Sequence, residues 1–395
     1  MSGEKEDQIA NSLFQLTPMI LKNVRSFRAI SVDGLASAAA TTETGKEDDF
    51  LLLLRLGAAD LNAVFLKFEG TLLHAIARQG LGKAVRLLVR CGAAVDARNK
   101  DGLTPLFVAS ERGHADVVKF LVSTGRVNVD LTRKDGATPL FVASEKGHTD
   151  VVRVLVKTGK ANVESTSLRD GFWRTVRLSD RLKRSGATPL LTAALRGHLD
   201  VVKILVKEGK ANVDASDEDG ATPLFVASDM AHTKLVKFLV TQGKANVEAT
   251  LKDGTTALHT AAENGRADIV RFLVKEGRAN VEAAREDGST PLLVAAGHWL
   301  PGARTDIVKI LVKDGKANIK ATRKGGETAL FLASRNGSTE IVKFLEKQGK
   351  AKGRSPASDS EEAGYVIVAE FFQDIREDTR KKGRATKARR WQSLD

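Results

Sequence analysis

Seven histidines and one cysteine are the side chains of this chain best suited to metal ligation, proton transfer at neutral pH or nucleophilic attack. Their spacing argues against all three. His74 and His259 stand in "TLLH" and "TALH", while His114, His148, His198 and His232 open "HAD", "HTD", "HLD" and "HTK" at intervals of 34, 50 and 34 residues. Only His298, in "GHWLPGAR", stands apart. Histidines one repeat apart on packed helices lie about 8–10 Å from each other, too far to share one metal ion. Cys91 has no second cysteine with which to form a disulfide or a cluster, and it fills a slot where other copies carry Thr, Glu or Gln. No G-x-x-x-x-G-K-[ST], H-E-x-x-H or G-x-S-x-G occurs. The reading is a protein without catalytic residues, cofactor or metal.

The elements that hold these histidines form a repeated line. Aligned on one threonine, the copies fall at Thr71, Thr104, Thr138, Thr188, Thr222, Thr256, Thr290 and Thr328, so the unit is 34 residues with 16 added in one copy and 4 in another. In "DGATPLFVASEKGHTDVVRVLVKTGKANVE" (135–164), Asp135-Gly136 predicts a turn. Thr138 predicts an N-cap and Pro139 the first position of a helix that ends at Gly147. Asp150 suits the start of a second helix, "VVRVLV" carries its apolar face, Gly159 closes it, and "ANVE" runs extended to the next turn. A two-turn helix is unstable alone, so each unit must borrow core from its neighbours.

The line resembles the ankyrin repeat, G-x-T-P-L-H-x-A-A followed by G-H and a second helix ending in G-A. Here it reads GATPLFVAS, GH and GKA, over about 285 residues from Phe68 to Lys352. The resemblance implies an all-α repeat solenoid of stacked helix-turn-helix units linked by β-hairpin-like loops. There are departures. The His after "TPL" survives only as His74 and His259, with Phe107, Phe141, Leu191, Phe225, Leu293 and Phe331 elsewhere. Most copies carry one residue beyond 33, in "GKANV". Ala231 replaces the Gly that ends the first helix, a swap costing about 1–2 kcal/mol if the position needs positive φ.

The resemblance also implies a non-catalytic scaffold that binds a partner protein on the concave side, through first-helix and hairpin slots. The slots that vary between copies are Leu103, Glu111, Arg112, Glu145, Lys146, Leu195, Arg196, Asp229, Met230, Glu263, Asn264, Arg335 and Asn336. Leu103 and Met230 are expected as apolar contacts in a charged groove. The residues after the turn glycine (Ala137, Ala187, Ala221, Thr255, Ser289, Glu327) share that expectation.

Outside the repeats, residues 1–33 read as an N-terminal helical cap segment, in which "LTPMILKNVRSF" bears a slight similarity to the F-box adaptor motif. Residues 34–67 read as a degenerate capping repeat, 68–352 as the array, 353–364 as a linker, 365–378 as a C-terminal helix docked on the last repeat, and 379–395 as a basic tail. The 16-residue insertion within 165–186 mixes Phe172, Trp173, Arg174 and Arg177, residue types favoured at interface hot spots. The smaller insertion carries Trp299 and Pro301.

Net charge is +13, and Arg86, Lys119, Arg153, Lys203, Lys237, Arg271, Lys309 and Lys343 recur in one slot of the second helix. Lys160, Lys210, Lys244, Arg278, Lys316 and Lys350 form a second row. Both fit solvation and helix C-termini, or attraction to an acidic partner. Two alternatives stay open beside the scaffold: an adaptor or regulatory protein working through its terminal segments, and direct nucleic-acid or polyanion binding through the tail and rows. No apolar run of membrane-spanning length or signal-peptide type occurs, so a monomer in the cytoplasm or nucleus is the expectation.

Overall fold

The computed structural model of the chain describes residues 70–167, 186–298 and 304–351. The expectations for residues 1–33, 34–67, 353–364, 365–378 and 379–395, and for the inserted Phe172, Trp173, Arg174, Arg177, Trp299 and Pro301, lie outside the described residues.

Contacts divide the chain into two units, residues 1–167 and 168–395. In the first, paired helices are α1 (Leu72–Gln79) with α2 (Gly82–Arg90), α3 (Pro105–Arg112) with α4 (Ala115–Ser123), and α5 (Pro139–Lys146) with α6 (Thr149–Lys157). In the second they are α7 (Pro189–Arg196) with α8 (Leu199–Lys207), and α9 (Pro223–Asp229) with α10 (Thr233–Thr241). Then follow α11 (Ala257–Glu263) with α12 (Ala267–Lys275), α13 (Pro291–Ala296) with α14 (Thr305–Lys313), and α15 (Ala329–Arg335) with α16 (Thr339–Ala351). Within each unit, first helices pack on first helices and second on second. Among the described residues no strand forms. The hairpins contribute two isolated antiparallel bridges, Thr250–Thr256 and Thr322–Thr328.

The threonine cap explains where each first helix starts. Thr104, Thr138 and Thr188 accept the N3 backbone N–H at 3.1, 3.1 and 3.2 Å, and proline follows at N1 in all three. The core is made of small pieces from neighbouring repeats: Leu106, Val118, Leu121, Leu140, Val152 and Leu155 are all at most 1% exposed.

The histidines are joints between repeats. His114, His148 and His232 cap the second helices, and each Nε2 donates to a carbonyl at the end of the preceding first helix: Arg78 (2.9 Å), Glu111 (3.0 Å) and Leu195 (3.0 Å). Those carbonyls have no acceptor role within their own short helix, so the bond crosses repeats by necessity. The glycine ending each first helix makes room. At Gly80, Gly113 and Gly197 an added Cβ would lie 2.4, 2.6 and 2.5 Å from the imidazole of the next repeat.

Two substitutions follow from this packing. Ala231 sits at φ 62, so the methyl group occupies the left-handed region expected for the glycine. It fits because the next repeat carries Arg266 where histidine would be, and Arg266 is exposed. A cavity of about 300 Å³ opens there, lined by Ala231, Thr233, Gly265, Arg266 and Asp268. One repeat later Arg304, 5% exposed, takes over the joint: its guanidinium donates to the carbonyls of Ala262 and Glu263.

Second-helix ends differ from the expectation. Gly159 does not close α6 by positive φ. The left-handed residue is Lys160 (φ 53), followed by Lys210 (59), Lys244 (61), Arg278 (53) and Lys316 (62) in the same slot. The glycine before each is required for space, since a Cβ at Gly159, Gly243, Gly277 or Gly315 would stand 2.7–2.8 Å from the carbonyl oxygen four residues back. The left-handed turn lets the next alanine donate across six residues, as Ala161 N–H does to Leu155 O at 3.0 Å. The "ANVE" stretch, expected extended, is a turn: Ala249 N–H donates to Asn246 O at 3.3 Å. Its acid reaches across repeats, with Asp130, Asp214 and Glu248 accepting the backbone N–H of Asn162, Asn246 and Asn280 at 3.0, 2.8 and 2.8 Å.

Two outcomes follow. Arg266→His alone drives an imidazole against the Ala231 methyl and destabilises, whereas Ala231→Gly with Arg266→His restores the joint. A double-mutant cycle read by urea unfolding should give a favourable coupling of about 1 kcal/mol or more. His259 Nε2 donates to Ser289 O at 3.0 Å and its Nδ1 accepts from Thr256 N–H, so the ring is neutral. Burial lowers its pKa to about 4 from 6.5, and the Arg285 charge acts the same way. The unfolded chain then binds more protons between pH 6.5 and 4, so this contribution is complete above pH 6.5 and is lost as pH falls to about 4. It amounts to about 3 kcal/mol. His259→Leu, the residue type of Leu293 in that slot, should flatten stability over this window in pH-dependent denaturation.

Candidate partner-binding surface

The variable slots divide by exposure. Arg112, Lys146, Arg196, Asn264 and Arg335 are exposed; Glu111, Asp229, Met230 and Glu263 are half-buried. These nine stand at the C-terminal ends of first helices, just before a residue of positive φ: Gly113, Gly147, Gly197, Ala231, Gly265 or Gly337.

Four others are turned inward and correct the sequence reading. Leu103 is 7% exposed, and so is not an apolar groove contact. Its N–H closes the turn on Asn99 Oδ1 (2.8 Å) and its carbonyl accepts from His74 Nε2 (2.9 Å), which fixes it between two repeats. The same slot is buried at Ala137, Ala187, Ala221, Thr255 and Ser289; among these described copies only Glu327 remains half-buried. Leu195 is 3% exposed, and its carbonyl receives the His232 joint. Glu145 is 5% exposed, with its charge acting on the Arg133 guanidinium. Asn336 is 8% exposed and donates from Nδ2 to Gly297 O.

In the second unit the exposed and half-buried slots are tied into polar groups, two of which span adjacent repeats and one of which lies within a single repeat. Asp229 Oδ1 accepts from Thr260 Oγ1 (3.0 Å) and Asn264 Nδ2 (2.6 Å). Glu263 pairs with Arg285 at 2.6 Å. Glu327 receives Arg323 on one oxygen and Arg335 on the other. The hydrogen bond from Arg323, then the nearby charges of both arginines, hold the Glu327 carboxyl below its ordinary value. The Arg335 guanidinium lies 5.8 Å from the Phe331 ring, the one exposed large apolar side chain among the described residues. In the first unit Arg133 makes two hydrogen bonds to Asp135 (2.9 and 2.7 Å) and lies over the Phe107 ring at 5.3 Å.

Arg133, Arg285 and Arg323 were not among the expected site residues. Their signal was present: each stands three positions before a turn glycine (Gly136, Gly288, Gly326). What the arrangement offers is a pre-set surface of alternating carboxylates and guanidinium groups, with Met230 and Phe331 as apolar points.

The second-helix basic row is largely engaged within the fold. Arg153, Lys203 and Lys309 pair with the aspartate three residues earlier at 3.1, 2.9 and 3.9 Å. Arg86 and Lys237 lie 5.7 Å from the rings of Phe120 and Phe272 in the next repeat. Among the described residues no group of three His, Cys, Asp or Glu side chains could hold a metal ion, and no helix is long and apolar enough to cross a membrane.

The family profile "Ankyrin repeats (3 copies)" matches residues 38–167, 174–250 and 242–322, and "Ankyrin repeat" matches 325–352, more than half of the chain together. Among curated proteins, 94 residues (24% of this chain) are 37% identical to 20% of the mouse (Mus musculus) "B-cell lymphoma 3 protein homolog". A stretch of 53 residues (13% of this chain) is 38% identical to 34% of the mouse "Protein phosphatase 1 regulatory subunit 27". The match thus spans 20% of the first of these relatives and 34% of the second.

Glu263→Gln should leave the Arg285 guanidinium, whose side chain is 11% exposed, without its anion. The expected cost is about 1–3 kcal/mol. Arg335→Gln, at a side chain 47% exposed, should change stability by less than about 0.5 kcal/mol. Chemical denaturation of the two variants side by side checks the difference.

Proposed function

We propose, from the premise that this chain belongs to the ankyrin-repeat family, that it is a non-catalytic scaffold binding a partner protein on its first-helix and turn surface. The observation that carries this reading is the locking of polar side chains at this surface by their neighbours, above all Arg323–Glu327–Arg335 within one repeat beside Phe331, and Asp229 with Thr260 and Asn264 across two. Side chains already held by neighbours lose little freedom when a partner arrives, so their charge and shape are available for recognition. Phe331, Met230 and the arginines supply the residue types that dominate interface energies. The relatives' names, one of them a regulatory subunit, agree with an interaction role.

The second-helix row gives less support to a polyanion-binding surface. Its cations at Arg153, Lys203 and Lys309 already face aspartates, and those at Arg86 and Lys237 cover aromatic rings.

Affinity purification with the full chain, followed by binding measurements on the recovered partner, tests the reading. Phe331→Ala with Arg335→Glu, and separately Met230→Ala with Asn264→Ala, should each weaken binding at least tenfold, while Lys119→Ala with Arg271→Ala leaves it unchanged. Full binding by both surface variants would overturn the proposal.

A further inference from the structure

Lys210, Lys244, Arg278 and Lys316 lie in the second unit at φ 59, 61, 53 and 62, all exposed, and none has a side-chain partner among the described residues. A left-handed conformation costs a residue with a Cβ, and glycine would remove that cost. The chain has that solution in hand at Gly92 and Gly125, where the closures of its first two described repeats fall, whereas Lys160 of the third takes the left-handed turn as the four cations do (φ 53). Four successive repeats instead keep a long cation in the strained position. Recurrent strain around an unpaired charge points to a use for the charge.

We propose that this row is a second interaction edge, which binds an extended acidic polypeptide. The geometry favours that ligand. The second helices that end three residues before these cations pack on one another in sequence. Packed helices are about 8–10 Å apart, and a peptide in the extended polyproline II form, with three residues per turn and about 3.1 Å rise, advances about 9 Å between side chains on one face. One carboxylate at every third position therefore meets one cation per repeat. Along a duplex each nucleic-acid strand carries a phosphate about every 3.4 Å of axis, and an extended single strand also places its phosphates closer together than the cations, so many of the charges would fall between them. Acidic side chains stand beside the cations in the sequence: Glu208, Glu276 and Asp314 two residues before Lys210, Arg278 and Lys316, with Asp314 pairing with Lys275 at 3.2 Å, and Asp214, Glu248 and Glu282 in the adjoining hairpin turns, where each accepts a backbone N–H. Those acids repel a continuous phosphate backbone and leave spaced carboxylates admissible. The row is separate from the first-helix surface, so either can fail without the other.

The test uses the full chain with all four residues changed, as Lys210→Gly, Lys244→Gly, Arg278→Gly and Lys316→Gly, and a second variant with asparagine at the same positions. Asparagine also tolerates the left-handed region while lacking the charge. The probes are a fluorescent peptide with glutamate at every third position, the same peptide with glutamine, and a single-stranded oligonucleotide of similar length. The proposal expects the wild type to prefer the glutamate peptide over both other probes by at least tenfold. Both variants should lose that binding at least tenfold, while the glycine variant melts at a higher temperature than the wild type. Undiminished peptide binding by the variants, or equal or tighter binding of the oligonucleotide by the wild type, would overturn it. A lower melting temperature in the glycine variant would assign the row to helix-end stabilisation and likewise overturn it.

Discussion

The end of a two-turn helix exposes carbonyls that its own residues cannot satisfy. In this protein the donor comes from the next repeat. His114, His148 and His232 each reach back to such a carbonyl, and the glycine beside it gives way to the ring. Thr caps, apolar layers and turn chemistry all act within that arrangement, because none of them makes a single repeat stable. Where the joint changes, its surroundings change with it. Arg266 leaves a cavity and tolerates Ala231, and Arg304 restores the bond with a different side chain arriving from the far side of an insertion.

The same dependence on neighbours shapes the surface. Asp229 is held by residues of the following repeat, and hairpin acids such as Asp214 accept backbone N–H groups from the next hairpin. Side chains fixed in this way form a surface whose charge pattern is set before any partner binds. The buried His74 and His259 serve the framework as neutral hydrogen-bond donors, each accepting a threonine N–H on its other ring nitrogen. His74 and His259 are both lowered in pKa, chiefly by burial, and each donates to a carbonyl of the next repeat.

Much of this was legible in the sequence. The Thr–Pro caps depend on local chemistry, and structure and sequence agree on them at Thr104, Thr138 and Thr188. The other copies marked Ala231 as strained if its position needs positive φ, and its φ is 62. What escaped depends on packing between copies. Leu103, Glu145 and Leu195 vary as surface residues do, yet they are covered by an adjoining repeat or turned toward one. In "GK" either residue could take the left-handed turn, and the choice of Lys160 over Gly159 is set by the clearance to Leu155 O. The role of Arg304 was hidden because four added residues displace it from the histidine register.

Native-state hydrogen exchange on the His232→Ala protein would test most directly whether each repeat is stabilised by its neighbour. The account predicts that protection falls at the end of α7 and throughout α9 and α10, and fades by α13 and α14. Loss confined to α10, which His232 caps, or loss spread evenly over residues 186–351, would contradict it.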